Sequence, residues 1–473
     1  MTQAGTPDNP LRIAIIGSGP SGFYAAEHLQ KQKDLTVEID MYDRLPTPFG
    51  LVRGGVAPDH QKIKSVVKVY DRIAAKPGFR FFGNVNFGTD ITHEDIEKHY
   101  HSVIYAVGAQ TDKNLGIPGE DLSGSHAATE FVGWYNGHPD YRDLEFDLTQ
   151  EKVAVIGVGN VAMDVTRILA RTQSELMETD IADYALEALA NSNVKEVYVL
   201  GRRGPAQAAF TNPEIKELGE MEGANIVVDR SEVDLDEFSQ EFLAQGDDRT
   251  ARKNVDILTA YAQLDGDDKP SKIIMRFLVS PVEIIGTDRV EAIKIVHNEL
   301  YKTDSGTLRP RATEKTEIIP VGLVFRSVGY RGVPLPGVPF YDRWGTIPND
   351  KGRVLTEMDG EPVVGDYVVG WIKRGPSGII GTNKPDSVET VNMLLEDVAE
   401  GKLFTPDSSN VDAIPALLDA RGVQAITYAD WQIIDQLEIE AGGAAGRPRV
   451  KYSRIPDMLE ALAAYKAKNP AGD

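Results

Sequence analysis

The chain has 473 residues, with 72 acidic against 50 basic side chains, a formal charge of −22, 41% hydrophobic residues and no cysteine. That hydrophobic share supplies more than one core and excludes a disordered chain, while the missing cysteine excludes disulfides, thiolate metal sites, chain-held iron–sulfur clusters and any redox dithiol. The net charge opposes broad nucleic-acid binding. The first ten residues lack a signal- or transit-peptide pattern, and no apolar run approaches the ~20 residues of a membrane helix, so a cytoplasmic protein with no membrane or nucleic-acid partner is expected.

Residues 11–16, Leu-Arg-Ile-Ala-Ile-Ile, read as a strand buried on both faces. The strand runs into Gly17-Ser18-Gly19-Pro20-Ser21-Gly22, a helix is predicted over 23–33, and a second strand over 36–42 ends at Asp43. In such a unit Gly17 permits the tight turn, Gly19 lets backbone approach a pyrophosphate, and Gly22 lets helix and strand pack closely. The helix N-terminus offers free N–H groups to phosphate, and Asp43 can accept from a ribose diol.

Further along, residues 44–80 hold Arg44, Arg53, Lys62, Lys64, Lys68, Arg72, Lys76 and Arg80 against only Asp59 and Asp71. A helix over 58–76 would bring Lys64, Lys68 and Lys76 near one face, a local basic patch in an acidic chain. A buried strand over 102–109 closes with a glycine turn.

The same grammar then recurs. A strand over 151–156 leads into Gly157-Val158-Gly159-Asn160-Val161-Ala162 and a helix over 163–171, with Ala162 in the third-glycine place. A helical insertion over 179–191 delays the next strand, 194–200, which ends in Gly201-Arg202-Arg203-Gly204 rather than an acid. Two cations where an acid would meet a ribose hydroxyl point to a 2′-phosphate, hence NADP; the acid of the first unit suits FAD. Residues 229–272 read as an acidic surface excursion. A strand over 322–330 repeats the pattern of 102–109. The two mark an α/β chain of two Rossmann-like dinucleotide-binding domains, with a discontinuous FAD domain (1–108 and 326–473) around an NADP domain (109–325). Residues 375–381 open a long helix through 397, whose N-terminus would stabilise an anionic reduced flavin with ~0.5 of a positive charge. The glycine-rich tail at 441–446 reads as peripheral.

Specific pieces of this chain, Pro48-Phe49-Gly50-Leu51-Val52-Arg53, Val56-Ala57-Pro58-Asp59-His60, Gly159 to Val165, Gly201 to Pro205 with Ala209-Phe210-Thr211, and Gly370 to Gly378, resemble the adrenodoxin reductase family of ferredoxin–NADP reductases. That family is a branch of the glutathione reductase-like two-dinucleotide fold. Asp43 stands where the family more usually has Glu. The resemblance implies FAD held by Gly17, Gly19, Ser21, Gly22, Asp43, Leu51, Val85, Trp371, Gly378, Ile379 and Ile380. It implies NADP held by Gly157, Gly159, Asn160, Val161, Ala162, Arg202, Arg203, Glu214 and again Gly378. His60 and Asp164 are implied beside the flavin, assisting proton handling and nicotinamide placement. On sequence alone His60 is a helix-start histidine and Asp164 a first-turn acid favoured by the helix dipole.

The resulting expectation is an NADPH:ferredoxin oxidoreductase passing a hydride from NADPH to FAD and single electrons to a small acidic iron–sulfur protein, with no metal site. Having no cysteine pair, the chain must release electrons from the flavin directly to a bound acceptor. The alternatives are an NADPH-dependent diaphorase or an electron-input subunit of the glutamate synthase type, and, from another class, a non-enzymatic redox sensor that only holds dinucleotides. The basic patch over 44–80 is the expected docking site.

Overall fold

The computed structural model describes residues 4–246, 248–264, 268–407 and 410–470. Two mainly parallel sheets dominate. In the first, of seven strands, Leu11–Ile16 lies between Val37–Tyr42 and Ser102–Tyr105, with Phe79–Phe82 at one edge and the antiparallel strands Asn349–Asp350 and Arg353–Leu355 at the other, joined through Pro362–Val368. Alternation explains the unbroken apolar run: Ile13 and Ile15 face the layer of Phe23 and Leu29, whereas Ala14 and Ile16 face that of Val103 and Tyr105.

The second sheet, of six strands, repeats this order, with Lys152–Ile156 between Glu196–Leu200 and Leu323–Arg326. Leu323–Arg326, whose pattern matched 102–109, is thus the last strand of the second sheet, and the chain returns to the first sheet beyond it. A three-stranded antiparallel meander, Val279–Ile285, Ala292–Lys302 and Leu308–Pro320, covers one face through Ile293 and Ile295. The chain passes between the sheets twice, where Thr111–Asp112 pairs with Tyr330–Arg331.

Three expectations need correction. The segment 229–272, leaving aside residues 247 and 265–267 outside the described set, is not only a surface excursion: its helix Arg249–Tyr261 buries Ile257 and Leu258 in the core of the second sheet. The helix over 58–76 is broken into Gln61–Lys64 and Val67–Ala74. Lys64 is buried, with Nζ 2.7 Å from Asp180, so it cannot belong to a surface patch. Arg44, Arg53 and Arg80 are likewise engaged by Asp140, Glu438 and Asp40. Lys62, Lys68, Arg72 and Lys76 remain exposed.

Nor is the tail peripheral. Helices Tyr428–Ala444 and Ile455–Lys468 send Trp431, Ile434, Met458 and Leu462 into the core of the first sheet. The segment between them reaches the other half of the molecule, pairing Arg447 with Asp183, Lys451 with Asp180 and Arg454 with Asp143. Glu438, fully buried, takes Arg53 and Arg449 at 2.5 and 3.1 Å.

Candidate functional site

The first glycine turn is built for an anion. Gly17 has φ +106°, and a β-carbon there would stand 2.5 Å from the Ala106 carbonyl oxygen. A β-carbon at Gly22 would collide with the Gly17 carbonyl, so the third glycine serves helix–strand packing. At Gly19 a β-carbon would meet nothing within 4 Å, because this residue faces open space at the N-terminus of Pro20–Leu29, a helix with no side-chain cap. Its first N–H groups and positive dipole end are free to take a phosphate. The second turn repeats each feature: Gly157 has φ +132°, Gly159 meets nothing within 4 Å, and Asn160–Ala170 starts without a side-chain cap over a fully buried Ala162. These two cradles fit two dinucleotides.

Asp43 ends its strand with Oδ2 accepting from the Ser18 backbone N–H at 3.1 Å and hydroxyl at 2.5 Å, and Oδ1 from the Leu45 N–H at 3.0 Å. Burial raises its pKa against those hydrogen bonds. The carboxylate is oriented by the very turn that holds Gly19.

Both units open on one cavity of 910 Å³, at the C-terminal ends of the parallel strands. The first half lines it with Gly17, Gly19, Ser21, Asp43, Leu51, His60, Val85, Trp371, Gly378, Ile379 and Ile380; the second adds Asn160, Val161, Asp164 and Glu214. Gly22, Gly157, Gly159, Ala162, Arg202 and Arg203 are not among its walls. Arg202 and Arg203 instead follow Gly201, which packs on Val158 of the second glycine turn. Near the flavin-binding loop implied by resemblance, Trp371 sits 5.2 Å from the Tyr330 ring and donates Nε1–H to the Ser377 carbonyl at 3.1 Å.

Where the halves meet, Arg167 is the hub. Its side chain is 0% exposed, and its guanidinium binds Asp59 at 2.5 Å, Asp164 at 2.6 Å and Glu214 at 2.9 Å. His60 joins the cluster from the first half: Nε2 lies 2.8 Å from Glu217, and Nδ1 3.8 Å from both Asp164 and Glu214. Burial would raise Asp59, but Arg167 and Arg171 outweigh it and hold the carboxyl well below its ordinary range. Burial wins at Asp164, which is raised, and together with the Asp164 charge pushes Glu214 up to about 7. Burial would lower His60, yet its bond to Glu217 and the nearby acids raise it. The cluster therefore holds a proton near neutral pH beside the cavity. His60, Glu214 and Glu217 offer ligand atoms within 4.8 Å of one another, a spacing also suited to a cation, but Arg167 already supplies positive charge there.

Sequence reasoning missed Arg167, Glu217 and Tyr330. Asp164 and Arg167, like Glu214 and Glu217, are three residues apart on one helix, a spacing that puts both partners on one face.

The chain matches the family model described as pyridine nucleotide-disulphide oxidoreductase over residues 11–374. It is 47% identical over 460 residues to the NADPH-ferredoxin reductase FprA of Mycobacterium tuberculosis, covering 95% of this chain and 98% of that protein. It is 39% identical over 470 residues to the mitochondrial NADPH:adrenodoxin oxidoreductase of Salvelinus fontinalis, covering 96% and 92%. The solved structure of Mycobacterium tuberculosis FprA in complex with NADPH superposes with a TM-score of 0.91 at 45% identity, covering 96% of this chain and all of that one.

Proposed function

The chain belongs to the pyridine nucleotide-disulphide oxidoreductase family, alongside the FprA and adrenodoxin reductases, and on that premise we propose that it is an FAD-dependent NADPH:ferredoxin oxidoreductase. The observation that carries this reading is the pair of uncapped helix N-termini, each behind an open glycine, whose two halves share one cavity. Residues 1–108 with 326–473 form the FAD unit, and 109–325 the NADP unit.

When bound, FAD supplies acceptance of one hydride, that is an electron pair, and release of electrons one at a time. Gly19, the amides opening Pro20–Leu29 and Asp43 would hold its pyrophosphate and ribose; Leu51, Val85, Trp371 and Gly378 to Ile380 would wall its ring. Gly159, Asn160 and Val161 would receive the NADPH pyrophosphate, and Arg202 and Arg203 the 2′-phosphate. His60, Asp164 and Glu214 would set one exchangeable proton beside the nicotinamide position. The described residues contain no helix long and apolar enough to cross a membrane. The family's disulphide step has no counterpart in a chain without cysteine, so electrons leave to a bound acceptor.

That acceptor is a small acidic iron–sulfur protein. Lys62 lies at the cavity, and Leu51, Ile63 and Ile379, 38%, 44% and 60% exposed, give its walls an apolar surface. Lys68 and Arg72 extend the positive charge on the neighbouring helix, and Lys76 just beyond its end.

The deciding experiment is an anaerobic titration of the purified yellow protein with NADPH, followed by addition of oxidised ferredoxin. Bleaching by NADPH and recovery of the flavin spectrum on adding ferredoxin is the expected result. A flavin that stays oxidised makes the protein a mere holder of dinucleotides.

A further inference from the structure

Arg202 and Arg203 are neighbours on a turn, Arg202 exposed and Arg203 half-buried, and neither guanidinium has an ion-pair partner among the described residues. Burial and the Arg202 charge both depress Arg203, so the pair is electrostatically loaded before any anion arrives. What holds this turn is its backbone. The Arg202 carbonyl accepts from Asn298 Nδ2–H at 2.9 Å, and the same amide group donates to Ser280 Oγ at 2.8 Å. The Arg203 carbonyl accepts from the Leu278 N–H at 3.1 Å, and the Leu278 carbonyl accepts from the Asn298 N–H at 2.6 Å.

Two irregularities converge there. Leu278 has φ +51°, a left-handed backbone that a leucine seldom adopts. Asn298, only 8% exposed, sits where the pairing of Ala292–Lys302 with Leu308–Pro320 slips register after Val296. Bulge and strained residue together direct one side-chain amide and one backbone N–H at the carbonyls of the two arginines. The meander that carries Asn298 lies about a hundred residues beyond the turn in the chain.

We propose that Asn298 is a positioning residue for cofactor selectivity: by clamping the Arg202–Arg203 turn it presents the two unpaired cations together to the 2′-phosphate of NADP. This rests on the NADP reading above and adds a determinant outside the dinucleotide motif.

The test uses the FAD-loaded enzyme and calorimetric binding of 2′,5′-ADP, which carries the 2′-phosphate, against 5′-AMP, which lacks it. Asn298→Ala should weaken 2′,5′-ADP about tenfold, the scale of one lost buried hydrogen bond and the order it imposes, with 5′-AMP affinity unchanged. Asn298→Asp keeps the side-chain volume but turns the donor into an acceptor; it should show the same loss, and it serves if the alanine variant folds poorly. The ratio of kcat/KM for NADPH to that for NADH should fall in parallel. In an Arg202→Ala/Arg203→Ala background, Asn298→Ala should have no further effect. If both Asn298 variants leave the discrimination intact while the double arginine variant loses it, the clamp is refuted and the phosphate site stands. If the double arginine variant keeps its preference for 2′,5′-ADP, the underlying assignment falls and the clamp falls with it.

Discussion

Replacing Arg167 with methionine removes the cation at the centre of the cluster while keeping an unbranched side chain of similar reach. Three carboxylates within 2.9 Å of its guanidinium, on Asp59, Asp164 and Glu214, then lose their shared partner, and only Arg171 still faces Asp59, at 2.9 Å. Breaking one partner out of a buried ion pair costs about 3–5 kcal/mol, because the remaining charge is stranded in a low dielectric. The penalty has a definite pH dependence. In the native protein Asp59 is held below its ordinary pKa, so it stays charged at every pH of interest and contributes stability that is lost only in strong acid. In the variant, burial pushes the stranded carboxyls up, as it already does for Asp164 and for Glu214 at about 7. A group whose folded pKa lies above its unfolded value destabilises as pH rises through that folded pKa. Each such group therefore returns about 1.4 kcal/mol per pH unit as the solution is acidified below it. Urea unfolding of both proteins from pH 8.5 to 5.5 should show a deficit that is largest at the alkaline end and shrinks towards pH 5.5. A deficit below about 1 kcal/mol at pH 8, or one that does not change with pH, would refute the view that Arg167 compensates buried charge.

Gly19→Val should yield a folded protein without flavin, since its side chain enters only open space, whereas Gly22→Val should lower the melting temperature because its side chain meets the Gly17 carbonyl; absorbance at purification and scanning calorimetry separate the two, and a yellow Gly19 variant removes that residue from the pyrophosphate site. Lys62→Glu/Lys68→Glu should raise KM for ferredoxin severalfold at low salt, converge with wild type at high salt, and leave NADPH-driven reduction of a neutral dye unchanged. Equal loss of both activities would exclude this face from docking. Lys64→Glu, by contrast, should destabilise the protein, because it sets a second acid against buried Asp180.

What could be read from the sequence follows how local each signal is. Both glycine turns, Asp43 and the arginine ending lie within short windows whose backbone demands are written in residue type; the cavity walls include Gly19 and Asp43 but not Gly159, Arg202 or Arg203. Lys64 shows the opposite case. Its spacing from Lys68 suggested an exposed face, but its environment is set by Asp180, 116 residues away. Arg167 reads as an ordinary helix-face cation until tertiary packing brings Asp59 and Glu214 to it. The tail read as peripheral because its glycine run hides the fact that Gly442 is pressed against the backbone of Arg449.

That tail has a mechanical consequence. Two covalent crossings, side by side as the pair Thr111–Asp112 and Tyr330–Arg331, define an axis about which one half of the molecule can swing against the other. A third tether away from that axis removes the swing. The stretch from Arg447 to Arg454 is such a tether, rooted in the first core by Trp431 and Met458 and fastened across the gap at Asp183, Asp180 and Asp143. The angle between the two nucleotide cradles, and with it the gap across which a hydride must pass, is braced by this C-terminal stretch together with the pairs Arg44–Asp140, Lys64–Asp180 and Asp59–Arg167, not by the two crossing strands alone.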